Sequence, residues 1–101
     1  VLGIERASDA WIKRNKITGV PIVRTYRGFP ADDAGMTGAR RVGRNDIVLG
    51  DIITGVDGQP VRTNEDYLSI MEKRRVGDTV TIETERAGAT LTFDVELTET
   101  Q

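Results

Sequence analysis

The side chains most often used for catalysis are scarce in this sequence. Histidine and cysteine are both absent from the 101 residues. Without them neither a Ser-His-Asp nor a Cys-His arrangement can be assembled, and no metal site can use imidazole or thiolate ligands. Ser8 and Ser69, the serines of the chain, lie in no nucleophile motif. The sequence therefore predicts a domain that is not an enzyme and that needs no cofactor.

Binding of anions by side chains is a second possibility, because Arg40, Arg41 and Arg44 are close together. Single-strand nucleic-acid sites interleave such cations with aromatic rings, and only five aromatic residues occur in the whole chain. The formal net charge of −2 gives no bulk attraction to nucleic acid or to a membrane. The glycines lack the G-K-[ST] sequence of a phosphate-binding loop. We therefore expect residues 37–46 to form a solvated loop or to contact a neighbouring domain or subunit.

The first four residues, V-L-G-I, place one glycine between apolar side chains. They form either the start of a strand or a binding site. A glycine between apolar residues occurs in many strands and bulges, so this stretch alone does not decide. The choice depends on the elements that surround it.

Length and composition indicate one globular domain. A chain of 101 residues can bury a single core, and 38% hydrophobic with 30% charged residues is typical of soluble proteins. The sequence starts at Val1 without a charged and apolar leader, so we expect no signal peptide and no membrane span. We expect residues 1–101 to be a single domain excised from a larger protein.

Short strands and turns dominate the first half. A short strand is expected within L-G-I-E-R-A (2–7), and V-P-I-V-R-T-Y (20–26) is expected as another strand. A brief helix that Ser8 or Asp9 can cap is expected between them. One helical turn is expected within 29–36, where a proline suits its first position and a glycine its end.

The second half combines strands with the clearest helix. A strand at 52–56 precedes an Asp-Gly turn, and two alternating segments at 79–86 and 89–97 predict an antiparallel hairpin. The helix is expected over 63–75, capped by Thr63, with its basic residues in the last turn.

The apolar residues of this helix cover more than one narrow stripe. We expect Leu68 and Met71 to face the core, and Tyr67, Ile70 and Arg74 to lie on an adjoining face. A helix that is apolar on a second face usually borders a groove or a partner.

Four segments together resemble one family. They are A-D-D-A-G-M (31–36), L-G-D-I-I-T-G-V-D-G-Q-P-V (49–61), T-N-E-D-Y-L (63–68) and V-G-D-T-V-T-I (76–82). In this order they resemble the PDZ domain of HtrA/Deg-type serine proteases. The long segment between Met36 and Gly50 is most similar to Deg-like members from chloroplasts and related bacteria. The resemblance implies an α+β, β-rich fold, a partly open antiparallel barrel or sandwich capped by one long and one short helix, with the HtrA-type permuted strand order.

The resemblance also implies a peptide groove. L-G-I (2–4) would be the carboxylate-binding loop, where glycine lets consecutive backbone N–H groups converge on an anion. Residues 4–6 would be the edge strand to which a peptide adds as a further strand, and the helix would form the opposite wall. The implied peptide-binding residues are Leu2, Gly3, Ile4, Glu5, Arg6, Asp66, Tyr67, Ile70, Met71 and Arg74.

Several of these residues have simpler alternatives. Ile4, Ile70 and Met71 can be plain core residues instead of pocket walls. Asp66 can sense the third-last side chain of the peptide, or it can simply favour the start of the helix. Arg74 can steer the peptide's carboxylate or remain solvated.

The implied function is binding of the C-termini or unfolded segments of proteins with apolar last residues, in the service of an attached protease domain. The parent protein would be a homo-oligomer in the bacterial periplasm or cell envelope, or in the chloroplast lumen. One alternative is a protease oligomerisation or regulatory domain with a closed groove. Another is the PDZ domain of a tail-specific or intramembrane protease.

Overall fold

The computed structural model describes residues 1–99 of the chain. This part forms eight strands and three helices. The strands are β1 (Ile4–Arg6), β2 (Val20–Thr25), β3 (Arg40–Val42), β4 (Asp46–Val48), β5 (Ile52–Val56), β6 (Gln59–Pro60), β7 (Thr79–Arg86) and β8 (Ala89–Glu96). The helices are α1 (Asp9–Arg14), α2 (Pro30–Asp33) and α3 (Asn64–Met71). Within residues 1–99, no helix has the length and apolar composition needed to cross a membrane.

Six of the strands form one antiparallel sheet. Its order is β1-β2-β5-β7-β8, with β6 paired to β5, so β1 and β8 are the edges and the sheet does not close into a barrel. After β8 the chain returns to the first residues, because the Thr98 N–H donates to the Val1 carbonyl over 3.2 Å. The predicted β-rich, partly open antiparallel fold with a long C-terminal strand is confirmed.

The core joins this sheet to α3. Ile22, Ile53 and Ile82, from three adjacent strands, are fully buried. α3 contributes Tyr67 and Ile70, whose exposed fractions are 6% and 7%. Burying each such side chain stabilises the fold by about 1.5–3 kcal/mol, which fixes the helix against the sheet.

The helix α3 begins as its sequence predicts and ends earlier. The Thr63 hydroxyl accepts a hydrogen bond from the Asp66 N–H over 3.1 Å, so Thr63 is the N-cap. The α-helix ends at Met71, whereas we expected it to continue to residue 75. The chain tightens after Met71, where the Arg74 N–H bonds to the Met71 carbonyl three residues back. The basic residues 73–75 therefore lie beyond the helix instead of in its last turn.

The rotation of α3 also differs from the expectation. Leu68 was expected in the core, but it is 48% exposed. Tyr67 and Ile70 occupy the core face in its place, and Met71 is half-buried at the boundary. The four apolar residues surround much of the helix, so periodicity alone does not set which pair is buried.

Residues 37–50 form an excursion that includes a second sheet. β3 and β4 pair antiparallel as a two-stranded hairpin, where the sequence predicted a loop or excursion without strands. Gly38 lies on the stem before the hairpin, and Gly50 lies on the stem after it, just before β5. A Cβ at Gly38 would lie 2.6 Å from the Arg24 Cα, and one at Gly50 would lie 2.5 Å from the Thr37 carbonyl oxygen. Gly38 therefore lies against β2 and Gly50 against the backbone of residues 37–38, and only glycine fits at either position.

A buried carboxylate fixes the base of this excursion. Asp51 is fully buried and accepts hydrogen bonds from the Thr37 N–H (2.7 Å) and the Thr84 hydroxyl (2.8 Å). Arg86 pairs with it, with 2.7 Å between Nη2 and Oδ2. Burial alone would raise the pKa of Asp51, but the hydrogen bonds from Arg86, Thr37 and Thr84 and the charge of Arg86 lower it below its usual value. Asp51 is therefore a charged group that holds β5, β7 and the excursion together.

Candidate peptide-binding groove

The outer edge of β1 presents unpaired backbone groups. The Tyr26 N–H donates to the Gly3 carbonyl over 3.0 Å, while Ile4 lies opposite Thr25. This pattern makes Ile4–Thr25 a non-hydrogen-bonded pair, so the N–H and C=O of Ile4 point away from β2. Arg6 repeats the geometry after a bulge, because the Ala7 N–H bonds to the Pro21 carbonyl. An extended segment can therefore pair with Ile4 and Arg6 as an additional strand.

The backbone carbonyls of the turn before β1 accept hydrogen bonds from the rest of the domain. The Leu2 carbonyl accepts from the Ala31 N–H over 3.0 Å, and the Gly3 carbonyl is bonded to Tyr26. No backbone carbonyl within residues 1–99 accepts from the N–H of Leu2 or Gly3. These two N–H groups remain as donors beside that of Ile4.

Glycine is required at the centre of this turn. Gly3 has a φ of 81°, which L side chains rarely adopt. A Cβ at this position would lie 2.1 Å from the Cβ of Phe29. The close approach of Phe29 therefore fixes the turn, and a substitution at Gly3 would disturb the loop before α2 as well as the donors.

A cavity of about 890 Å³ lies between this turn and α3. Its lining is mainly apolar, with charged residues at the end where α3 stops. The turn and the adjacent loop contribute Val1, Leu2, Gly3, Ile4, Tyr26 and Phe29; the helix and the residues after it contribute Tyr67, Leu68, Met71, Glu72, Arg74, Arg75 and Val76; Leu97 completes the wall. A second recess of about 530 Å³ extends along β1, toward the start of α3.

Most of the residues proposed from the sequence meet at these two cavities. Leu2, Gly3, Ile4, Tyr67, Met71 and Arg74 line the larger one, and Glu5 and Arg6 line the smaller one together with Ile4. Ile70 and Asp66 line neither of the two. Leu68, which we had assigned to the core, lines both cavities.

Ile70 and Asp66, which line neither cavity, make contacts within the domain. Ile70 is 7% exposed and belongs to the hydrophobic core. The Asp66 carboxylate accepts from the Arg62 N–H over 3.0 Å, at the start of the helix. The position of Ile70 fits the core alternative, and the geometry of Asp66 fits the helix-start alternative.

A polar bridge links the two walls at the far end of the groove. The Arg6 guanidinium donates to Asn64 Oδ1 over 2.9 Å and lies 5.1 Å from the centre of the Tyr67 ring. Asn64 in turn donates to the Ala7 carbonyl (2.9 Å) and to Asp9 Oδ1 (2.8 Å). Burial raises the pKa of Tyr67 to about 12, against the lowering effect of the Arg6 charge, so this phenol is neutral. The sequence analysis did not identify Asn64 as part of the groove, because its position is that of an ordinary first residue of a helix.

Arg74 is engaged in an ion pair within the domain. Its Nε lies 2.9 Å from Asp57 Oδ2, and Asp57 also accepts from the Thr81 N–H over 2.8 Å. These contacts fix the end of α3 to the turn after β5. Arg75, which is exposed on the cavity wall beside Glu72, is the other guanidinium at this end. Nothing in the sequence distinguishes Arg75 from Arg74 as the guanidinium that faces the cavity.

The sequence and the fold are similar to those of known proteins. The PDZ domain family matches residues 13–97. Protease Do-like 1, chloroplastic, from Arabidopsis thaliana is 37% identical over 83 residues, which are 82% of this chain and 19% of that protein. Protease Do-like 8, chloroplastic, from the same plant is 36% identical over 99 residues, 97% of this chain and 22% of that protein.

The fold is also found in a solved PDZ domain. The HtrA3 PDZ domain, in a crystal structure with the phage-derived ligand FGRWV, has a TM-score of 0.68 at 16% identity, covering 95% of this chain and 82% of that one. The chain belongs to the PDZ domain family, and its predicted resemblance to the HtrA/Deg-type domains is confirmed. It spans about a fifth of the length of the two Do-like proteases.

Proposed function

We propose that this domain binds the C-terminal segment of other proteins as an additional strand beside β1. The observation that carries the proposal is the outward-facing backbone of Ile4, next to the free N–H groups of Leu2 and Gly3. A carboxylate at the end of an added strand would reach these donors. The HtrA3 PDZ domain, which has a similar fold, has been crystallised with the phage-derived ligand FGRWV, which supports peptide binding here.

The last side chain of the peptide would enter the larger cavity. Leu68 and Met71 from α3, and Ile4 from β1, would contact it there, which favours an apolar last residue such as Val, Leu, Ile or Phe. Affinity for a short peptide would be on the order of ten micromolar, because the peptide loses conformational freedom on binding.

The first experiment compares two forms of one peptide. FGRWV with a free carboxylate and its C-terminal amide are titrated into the domain by calorimetry. Hydrogen bonds to a charged group contribute about 1.5–3 kcal/mol, so amidation should weaken binding by about 10- to 150-fold. Equal binding of both forms would show that the turn at Gly3 does not recognise a carboxylate.

A matched pair of variants tests the cavity itself. Leu68 is 48% exposed, so a ligand can bury about half of its surface, which corresponds to about 0.7–1.5 kcal/mol. Leu68→Ala should therefore raise the Kd of the free peptide about 3- to 12-fold. Ile47→Ala is the control, because Ile47 is similarly exposed (55%) but lies on the β3–β4 hairpin. Equal effects of the two changes would contradict binding in the cavity.

We further propose that the parent protein is a homo-oligomeric serine protease of the HtrA/Deg type, for which this domain selects substrates. The two Do-like proteases support this reading over a tail-specific or intramembrane protease. Their names also favour a chloroplast location over a bacterial envelope. A functional test is proteolysis of a substrate ending in the bound peptide, by the full-length protein with and without Leu68→Ala.

A further inference from the structure

The β3–β4 hairpin creates a second cleft on this domain. It has a volume of about 380 Å³ and lies between α1, β2 and the hairpin. We call it the hairpin cleft and define it by its apolar residues Trp11, Val23, Ala39, Ile47 and Leu49. None of these five residues lines the peptide groove. The cleft and the groove share only residues of β1 and the two that follow it.

One face of the hairpin points toward this cleft. Arg41 lies directly opposite Ile47, and opposite residues of an antiparallel pair share a face. Ile47 is 55% exposed, so its apolar side chain is presented to solvent at the cleft. Val48, its neighbour in the strand, pairs with Arg40 and projects from the opposite face.

A basic recess adjoins the apolar cleft. It has a volume of about 400 Å³ and shares Ala39, Ile47 and one β2 residue with the cleft. Arg40 and Arg41 form part of its wall.

The hairpin carries uncompensated positive charge. Arg40, Arg41 and Arg44 against Asp46 give it a net charge of +2, in a chain whose total is −2. Within residues 1–99 these three arginines take part in none of the ion pairs. Exposed apolar surface next to unpaired cations is typical of a surface that binds an acidic, partly apolar partner.

We propose that the hairpin cleft binds an acidic protein segment with one apolar anchor residue. The anchor packs between Trp11 and Ile47, and a flanking carboxylate pairs with Arg41, which shares the face of Ile47. The small size of the basic recess and the aliphatic residues Val23 and Leu49 favour a protein segment over nucleic acid, which needs a longer track of cations and stacking rings. The five residues that define the site lie outside the groove for C-terminal peptides, and the site does not require a free carboxylate terminus.

The test uses a peptide blocked at both ends, acetyl-DDFDD-amide, with acetyl-KKFKK-amide as the charge-reversed reference. Trp11 is the one tryptophan of the chain and lines the cleft, so its emission reports occupancy. We expect the acidic peptide to shift this emission with a Kd on the order of 100 µM at low salt, weakening as salt is added. The basic peptide should bind at least about tenfold more weakly because like charges meet.

Two variants on adjacent residues separate the cleft from the rest of the hairpin. Ile47→Asp places a carboxylate in the cleft and should weaken the acidic peptide about tenfold or more. Val48→Asp changes the net charge equally but on the opposite face, and should alter the Kd by about twofold or less. Both positions are exposed, so both variants should keep the wild-type circular dichroism spectrum.

Four results would overturn the proposal. The first is unchanged Trp11 emission at millimolar acidic peptide, and the second is equal weakening by Ile47→Asp and Val48→Asp. The third is displacement of the peptide by a ten-nucleotide thymidine strand that binds more tightly, which would make the surface a nucleic-acid site. The fourth is a Trp11 shift with protein concentration alone, accompanied by a dimer in sedimentation, which would make the occupant a second copy. Because the probe has no C-terminal carboxylate, these results are independent of the FGRWV titration.

Discussion

Replacing Asp51 by alanine should destabilise this domain far more than removing an exposed ion pair of the same length. Asp51 and Arg86 are separated by 2.7 Å, and so are Glu5 and Arg24. The Asp51 side chain is fully buried, whereas the side chains of Arg24 and Glu5 are 63% and 45% exposed. The two pairs therefore differ mainly in burial, which makes Glu5→Ala a matched control.

The expected magnitude follows from the groups that Asp51→Ala leaves without a partner. The buried Thr84 hydroxyl and the Thr37 N–H lose their acceptor, and Arg86 loses its counter-charge. Breaking a buried pair costs about 3–5 kcal/mol. The side chain of Arg86 is 35% exposed and can turn toward water, so we expect about 3 kcal/mol. At about 4–8 °C per kcal/mol, Tm should fall by about 12–24 °C.

Urea denaturation followed by circular dichroism measures both changes in the free energy of unfolding. Glu5→Ala should cost about 0.5 kcal/mol or less, since exposed pairs contribute little. A loss below about 1 kcal/mol for Asp51→Ala, or equal losses for both variants, would show that burial of the Asp51 carboxylate does not increase its contribution to the free energy of unfolding.

Three further outcomes are expected. Because its native pKa lies below the ordinary 3.8, ionised Asp51 stabilises the fold above pH 3.8, and that contribution is lost as the pH falls further. The free energies of unfolding of wild type and Asp51→Asn should therefore differ most above pH 3.8 and converge below it; a constant difference would contradict this. Asn64→Ala should lower the free energy of unfolding by about 1–3 kcal/mol and speed amide exchange in β1, because Arg6 loses its acceptor; unchanged exchange would disprove the bridge. Gly50→Ala should cost about 1–3 kcal/mol in urea denaturation, since its Cβ would lie 2.5 Å from the Thr37 carbonyl oxygen; wild-type stability would show that the stems can separate.

The elements with strong local signals were predictable from the sequence. Thr63 caps α3 as expected, because it directly precedes an acidic first turn and its hydroxyl accepts from the N–H of Asp66, three residues on. The β7–β8 hairpin follows from the alternation of apolar and polar residues on both sides of the Ala87-Gly88 turn. The proline at residue 30 begins α2, as its fixed φ favours.

The rotation of α3 and the β3–β4 hairpin were not predictable. Tyr67, Leu68, Ile70 and Met71 give the helix an apolar surface on most sides, so packing against the sheet decides that Ile70 is buried and Leu68 lines the groove. Each hairpin strand has three residues, all exposed. Because neither face of these short strands is buried, they show no alternation of apolar and polar residues. In the sequence, Gly38 and Gly50 look the same whether they allow a close backbone approach or a flexible loop.

The turn at Gly3 was predictable from the sequence, whereas the contacts between residues that are distant along the chain were not. Gly3 and the apolar residues around it mark the turn, although its conformation depends on Phe29, which is distant in sequence. The bridge from Arg6 to Asn64 joins residues 58 positions apart, so no local pattern indicates it. Arg74 and Arg75 are equivalent by sequence, and the contact with Asp57 distinguishes them only in the folded chain.

The most direct test of peptide binding is a nitrogen–proton correlation spectrum of the domain, titrated with free-carboxylate FGRWV. We expect the largest amide shifts at Leu2, Gly3 and Ile4, with smaller ones at Leu68 and Met71. The amidated peptide should leave the first three nearly unchanged. A well-dispersed spectrum in which these amides stay fixed at millimolar peptide would contradict the proposed groove.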